Sequence, residues 1–327
     1  MGEMRLIEAV RQGLREELAA DSSVFLIGQD IGVNGGVFRV TDGLLDEFGP
    51  GRVIDSPLAE SGMVGVAIGA AMNGLRPVVE VQFADFIFPA FNQIVSEAAR
   101  MYYRTNGDYS VPIVIRAPYG GGVRGGLYHS QSVEAYFAHV PGLKVVVPSN
   151  PHDAKGLLKA AIRDNNPVLF FEHKLAYNTV QGDVPEGNYT VPIGKAAVRR
   201  EGQQLSLISY GLSVHHCLEA AETLAAEGIS CEVVDLRSVS PLDIKTLLES
   251  VKKTGRVCIV HEDNLTGGVG AEVAAIVAKD VFEYLDAPVQ RVAALDVPSF
   301  PYNPTLEDAL LPGPPDIISA ARELAAY

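Results

Sequence analysis

Glu60 stands at the head of an almost wholly apolar stretch, within DSPLAESGMVGVAIGAAMNG at 55–74. The stretch has helical length, and a helix that is apolar on every side is expected to be buried. A carboxylate at the mouth of such a helix is costly to desolvate unless something pairs with it. It can hold a proton for a bound group, or it can simply complement the positive end of the helix dipole. Gly62, Gly65 and Gly69 lie three and four residues apart. That spacing lets a second backbone come close, or it serves ordinary packing. His129 lies in RGGLYHSQS, a loop rich in glycine and polar residues. Imidazole titrates near neutrality and suits proton transfer, although a lone loop histidine is more often just solvated. The types and spacings alone leave these alternatives open.

The other histidines have weaker claims. His215 and His216 are adjacent on a predicted helix and do not share a face; they read as packing or partly exposed residues, and His139, His173 and His261 are assigned no chemistry. His261, Glu262 and Asp263 form a polar cluster at a strand end, where exposed polar residues are ordinary.

Elements that could hold Glu60 and His129 are visible as short apolar runs alternating with helical patterns. SVFLIGQ, RPVVEVQF, VPIVIRA, LKVVVPS and PVLFFEH read as buried parallel strands. Helical stretches are expected at 88–105 and 153–164. A polar segment with Pro and Gly at 178–204 reads as a break. Beyond it, LSLISYG, ISCEVVDLRS, RVCIVHED and VQRVAALD are strands separated by helices, two of which stop at Gly228 and Gly255. The expected fold is α/β, with two doubly wound parallel-sheet domains of about five strands and of four or more. The expected boundaries are 1–185, a linker at 186–204, and 205–327.

At 327 residues the chain exceeds one ordinary core, which agrees with two domains. A net charge of −14 disfavours nucleic acid and anionic membrane surfaces. No apolar run is long enough to span a bilayer, and the N-terminal amphipathic pattern is not that of a signal peptide. Cys217, Cys231 and Cys258 lack both close pairing and metal-ligand spacing, which fits a reducing, cytoplasmic setting.

Long ordered strings change the weight of Glu60 and His129. RVIDSPLAESG, EVQFADFIFPAFNQI, RAPYGGGVRGGLYHSQSVEAYFAH, PGLKVVVPS, DAKGLLKAAIRDNNPVLFFEHK and KTGRVCIVHED resemble the E1 β subunits of 2-oxo acid dehydrogenase complexes, over nearly the whole chain. YHSQS, FADF and FFEHK look more like the branched-chain type than the pyruvate type. The resemblance implies a transketolase-like fold with a pyrimidine-binding domain and a C-terminal domain. It implies thiamine diphosphate as cofactor, activated by Glu60 at the aminopyrimidine ring, with Leu58, Gln82 and Phe86 packing on or near that ring. His129 would serve proton transfer during acylation of the lipoyl group. Asp164 and Asn166 resemble part of a potassium site; by type alone they make a helix-ending turn.

Two positions depart from the family pattern. Gln29 stands where a glutamate is usual, and an amide cannot act as an acid or base. Asn178 stands where an arginine often follows the tyrosine. The Gly-Asp-Gly signature of the magnesium–diphosphate clamp is absent. The implied partner is therefore an α subunit that holds most of the Mg²⁺ site, in an α2β2 assembly serving an E2 lipoyl acyltransferase and a small 2-oxo acid. Pyruvate or acetoin as substrate, or a non-catalytic assembly subunit of the same fold, are the competing readings.

Overall fold

The computed structural model describes residues 2–327. The chain forms two compact units. One contains the chain up to Tyr119 together with Tyr136–Ile193; the other contains Gly120–Ala135 together with Gly194–Tyr327.

Strands of the first unit are β1 (Gly2–Arg5), β2 (Val24–Gly28), β3 (Val53–Asp55), β4 (Arg76–Glu80), β5 (Val114–Tyr119), β6 (Lys144–Val146), β7 (Val168–His173) and β8 (Gln181–Val184). β2 to β7 are parallel, in the order β6-β7-β5-β4-β2-β3. β1 pairs antiparallel with β8. Each apolar run expected to be a strand is one. β3 escaped the sequence reading because only three residues, Val-Ile-Asp, pair with β2.

The helix expected at 88–105 is instead a series of short pieces: a 3-10 segment Ala84–Ala90 containing Pro89, a π-helix Gln93–Ala98 and a single α turn Met101–Arg104. Proline withdraws a backbone donor and disturbs regular winding. By contrast, Pro151–Arg163 is regular. Proline stands in its first turn, and the Asn150 side chain accepts from Asp153 N at 2.9 Å.

Beneath the strand ends of this unit lies a buried charge cluster. The Arg116 guanidinium (β5) donates twice to Glu172 (β7), at 2.8 and 2.9 Å, and once to Glu80 (β4), at 2.6 Å. Tyr177 Oη donates to Glu172 at 2.8 Å. Burial works against the arginine charge, but Glu172 and Glu80 outweigh it and hold its pKa above the usual value. Burial pushes the Glu172 carboxyl up, against the pull of Arg116.

Strands of the second unit are β9 (Ala197–Arg200), β10 (Leu205–Ser209), β11 (Cys231–Asp235), β12 (Ser238–Ser240), β13 (Val257–Asn264) and β14 (Gln290–Ala294). Its main sheet runs β14-β13-β10-β11-β9, with the edge strand β9 antiparallel to β11 and the other pairs parallel. Helix Ile244–Thr254 ends on Gly255 at φ 70°, the left-handed stop that its glycine predicts. Cys217, Cys231 and Cys258 are all free and buried, and they pack in one core cluster. Burial pushes the Cys217 thiol well above its usual value, Cys231 to about 11 and Cys258 to about 12.

Continuity of sequence assigned 120–135 to the first domain, but this loop belongs to the second unit. Hydrogen bonds account for it. Glu262 Oε1 accepts from Gly121 N at 2.6 Å and from Ser132 Oγ at 3.1 Å. Tyr210 Oη donates to Glu134 Oε1 at 2.8 Å. The reading of His261, Glu262 and Asp263 as exposed residues is thereby corrected: all three lie on β13 and are buried, because the loop covers them. Burial lowers the His261 pKa to about 4. Burial, then the charge of Asp263, raises Glu134 to about 8, and burial raises Asp263 to about 6.

Arg116→Leu is expected to leave two carboxylates facing each other without a counter-charge, and to cost about 3–5 kcal/mol. A fall in the urea midpoint at constant m-value measures it. The raised Glu134 pKa makes a second prediction. A carboxyl raised in the folded state stabilises below its unfolded pKa and loses that contribution as pH rises toward about 8. Glu134→Gln keeps an acceptor for Tyr210 but cannot ionise. Urea unfolding of the variant across pH 6–8 should therefore show a flatter pH dependence than the parent.

Candidate active site

β2 has β3 on one side and β4 on the other, so consecutive chain segments leave it in opposite directions. Such a switch point opens a crevice at the carboxyl ends of the strands, where open α/β sheets bind ligands. Gln29 and Asp30 follow β2, Leu58 and Glu60 follow β3, and Gln82 and Phe86 follow β4. The predicted pyrimidine-site residues thus come together on loops from the ends of three neighbouring strands.

Local contacts set these loops. Gly28 ends β2 where a Cβ would lie 2.9 Å from the Glu80 carbonyl and 2.8 Å from Ile31 Cγ2, so only glycine fits. Asp30 adopts φ 58° and accepts from Gln82 Nε2 at 3.0 Å, joining the β2 and β4 loops. Asp55, ending β3, accepts from Gly32 N at 2.7 Å. Phe86 meets Phe83 edge-on at 5.5 Å, and Phe83 meets Phe38 at 5.3 Å. Phe86 and Gln82 are half-buried, and Leu58 is 74% exposed.

Glu60 is the first residue of helix Glu60–Met72 and is half-buried. Ala59 precedes it and makes no side-chain cap, so a carboxylate in the first turn faces the positive end of the helix. Met63, Val64, Ala67, Ile68 and Ala71 form the buried face. Gly62, Val66 and Gly69 are exposed, with Val66 at 63%. The helix is therefore apolar all round yet only one-sidedly covered by this chain. Gly65 faces Gln93 of the π-helix, whose side chain would lie 3.6 Å from an added Cβ.

His129 is half-buried in the loop of the second unit, just after a short 3-10 turn, Gly126–Tyr128. At Gly125 a Cβ would come within 2.7 Å of the histidine's own Cβ, and at Gly126 (φ +65°) within 2.4 Å of the Tyr302 ring. These glycines let the loop fold tightly beside His129 and the Tyr302 ring.

Asp164 and Asn166 form a turn at the end of helix Pro151–Arg163. Asp164 Oδ1 accepts from Asn166 N at 2.9 Å and from its side-chain amide at 3.1 Å, while the Lys144 ammonium holds Oδ2. Arg76 donates to the carbonyls of Ile162 and Asp164, both at 2.9 Å, and to Asn165 Oδ1 at 2.7 Å. Lys144 and Arg76 thus bring two cations to this turn, while Asp164 Oδ1 is held by the neutral Asn166 amide groups. At the departures from the family pattern, Gln29 is half-buried, and Asn178 Oδ1 accepts from Arg5 Nη1 at 3.2 Å. Arg5 on β1 thus brings a guanidinium to a position where the sequence itself lacks one.

Residues that sequence reasoning passed over are Asp30, which orients Gln82, and the carboxylates of Glu262 and Glu307, which bind the His129 loop. Their signal was long-range pairing, which spacing along the chain does not carry.

Comparison with known proteins bears on the family and the fold. Residues 2–180 match the transketolase pyrimidine binding domain and 194–317 the transketolase C-terminal domain. The chain is 56% identical to the 2-oxoisovalerate dehydrogenase subunit beta of Bacillus subtilis (strain 168), over all of both chains. It is 48% identical to the pyruvate dehydrogenase E1 component subunit beta of the same organism, again over all of both. A solved split gene transketolase, described as an inactive beta4 tetramer, shares the fold with a TM-score of 0.81 at 24% identity, covering 99% of each chain. With Glu60 at the switch point and full-length identity of this order, the chain belongs to the E1 β subunits of the 2-oxo acid dehydrogenases.

Proposed function

We propose that this chain is the β half of an α2β2 E1 component that uses thiamine diphosphate to decarboxylate a branched-chain 2-oxo acid and acylates the lipoyl group of an E2 acyltransferase in the cytoplasm. The observation that carries this reading is the Glu60 carboxylate at the head of the helix after β3, beside the switch point. The donor set fits an aminopyrimidine: a carboxyl group, the Gln82 amide oriented by Asp30, the Phe86 ring and the exposed Leu58 side chain. The bound cofactor supplies a nucleophilic carbon able to attack a 2-oxo group. Glu60 would hold a proton at the pyrimidine nitrogen, the contact by which a carboxyl group can make the adjacent amine a base. The Phe86 ring would offer an aromatic surface to the pyrimidine. His129 delivers a proton to the lipoyl sulfur as the acyl group moves.

A partner is required on two grounds. The chain has no Gly-Asp-Gly signature for the magnesium–diphosphate clamp, which we assign to the α subunit. The stripe of Gly62, Val66 and Gly69 lies open, and no heavy atom would lie within 4 Å of a Cβ at Gly69. Small residues there let a second backbone approach closely. The name of the 56% identical relative supports the branched-chain substrate over pyruvate.

The complex copurified with its α partner should turn over 2-oxoisovalerate faster than pyruvate when thiamine diphosphate and Mg²⁺ are added. A preference for pyruvate would overturn the substrate, and no turnover of any 2-oxo acid would favour the assembly-subunit reading. Glu60→Gln should fold normally and lose at least the ~10²–10⁴-fold that a general acid–base group supplies; near-full turnover would remove the role given to Glu60. His129→Ala separates the two half-reactions. Lipoyl-dependent acylation should fall by ~10²-fold or more, while decarboxylation followed with an artificial electron acceptor falls much less. An equal fall in both would move His129 to substrate binding.

A further inference from the structure

The loop that carries His129 is fastened at both ends to one atom. Glu262 Oε1, on β13, accepts from Gly121 N at 2.6 Å at the start of the loop and from Ser132 Oγ at 3.1 Å near its end. A backbone bond from Gly120 N to Gln131 O, 3.0 Å, closes the same neck. Glu307, fully buried on helix Pro304–Leu310, adds a second hold on the entering strand of the loop, accepting from Gly122 N at 3.0 Å and from Arg124 at 2.5 Å. Asp308 also accepts from Arg124, at 2.8 Å. On the leaving side Tyr210 holds Glu134.

This is an expensive arrangement for a loop. Glu262, Asp263 and Glu134 crowd three carboxyl groups into a buried region next to a buried histidine, His261. A desolvated acceptor makes stronger hydrogen bonds than one in water and holds its donors in fixed directions. Glycines fill the loop between the anchors, so that its own backbone supplies little rigidity. The neck is therefore a main source of the loop's fixed conformation.

We propose that Glu262 is a positioning residue for His129: by joining Gly121 and Ser132 through one oxygen, it sets the loop conformation in which the imidazole can act. It touches neither substrate nor cofactor in this role. The proposal rests on the reading of His129 as a proton donor in acylation, and the two can fail separately.

The test uses the α/β complex carrying Glu262→Ala, Glu262→Gln or Ser132→Ala, with His129→Ala in parallel. Amide hydrogen exchange is followed over 121–134, and lipoyl-dependent acylation is measured beside acceptor-dependent decarboxylation. Glu262→Ala is expected to raise exchange of the loop amides at least tenfold and to lower acylation at least tenfold, with the KM for the 2-oxo acid unchanged. Glu262→Gln keeps the acceptor oxygen and should restore most of both. Ser132→Ala, which removes one bond and leaves the fold intact, should raise exchange mainly toward 130–134. Combining Glu262→Ala with His129→Ala should lower acylation no further than His129→Ala alone. Unchanged loop exchange in both Glu262→Ala and Ser132→Ala would overturn the proposal, as would loosened loops with full acylation in a complex where His129→Ala abolishes it. If His129→Ala itself leaves acylation intact while Glu262→Ala loosens the loop, the anchoring stands and the role of His129 falls.

Discussion

A guanidinium with 1% exposure, set between two carboxylates, is the constraint on which the first unit turns. Arg116 takes both oxygens of Glu172 and one of Glu80, and so locks the carboxyl ends of β4, β5 and β7 to one another. Such a cluster contributes little net stability, because desolvation consumes most of the attraction. What it supplies is position. Glu80 is the last residue of β4, two residues before Gln82, and its other oxygen would lie 2.8 Å from a Cβ on Gly36 in the β2 loop. The loops that carry Asp30 and Gln82 therefore leave from strands held in fixed register.

The residues that motif resemblance singles out fall in both units. Glu60, Leu58, Gln82 and Phe86 belong to the first, where strand order creates the crevice; His129 belongs to the second, on a loop inserted from the middle of the first unit's sequence. Chain continuity and structural membership differ there because buried carboxylates on β13 and on helix Pro304–Leu310 compete successfully for the loop's donors. A family match that runs from 2 to 180 along the chain includes His129 by sequence, although the carboxylates that anchor its loop, Glu262 and Glu307, lie beyond residue 180.

Legibility in the sequence followed the range of the interaction. Buried parallel strands such as Val114–Tyr119 and Val168–His173 announce themselves as apolar runs, and the stop at Gly255 is a local conformational demand. β3 offered too few residues to show a pattern, and Pro89 broke a helix whose apolar spacing looked continuous. Glu60 and His129 draw their weight from motif resemblance alone, since their types are ambiguous. Asp30 with Gln82, Arg76 with the Asp164 turn and the covering of His261–Asp263 were not legible, because each depends on partners tens of residues away.

The three cysteines of the second unit have a practical consequence. Each thiol sits in the core with its ionisation suppressed, and only the thiolate attacks alkylating reagents. The folded chain should accordingly be nearly silent toward maleimides at neutral pH. A single cysteine introduced on an exposed surface then becomes a unique handle, and a spectroscopic label can be attached without first stripping the native cysteines from the core.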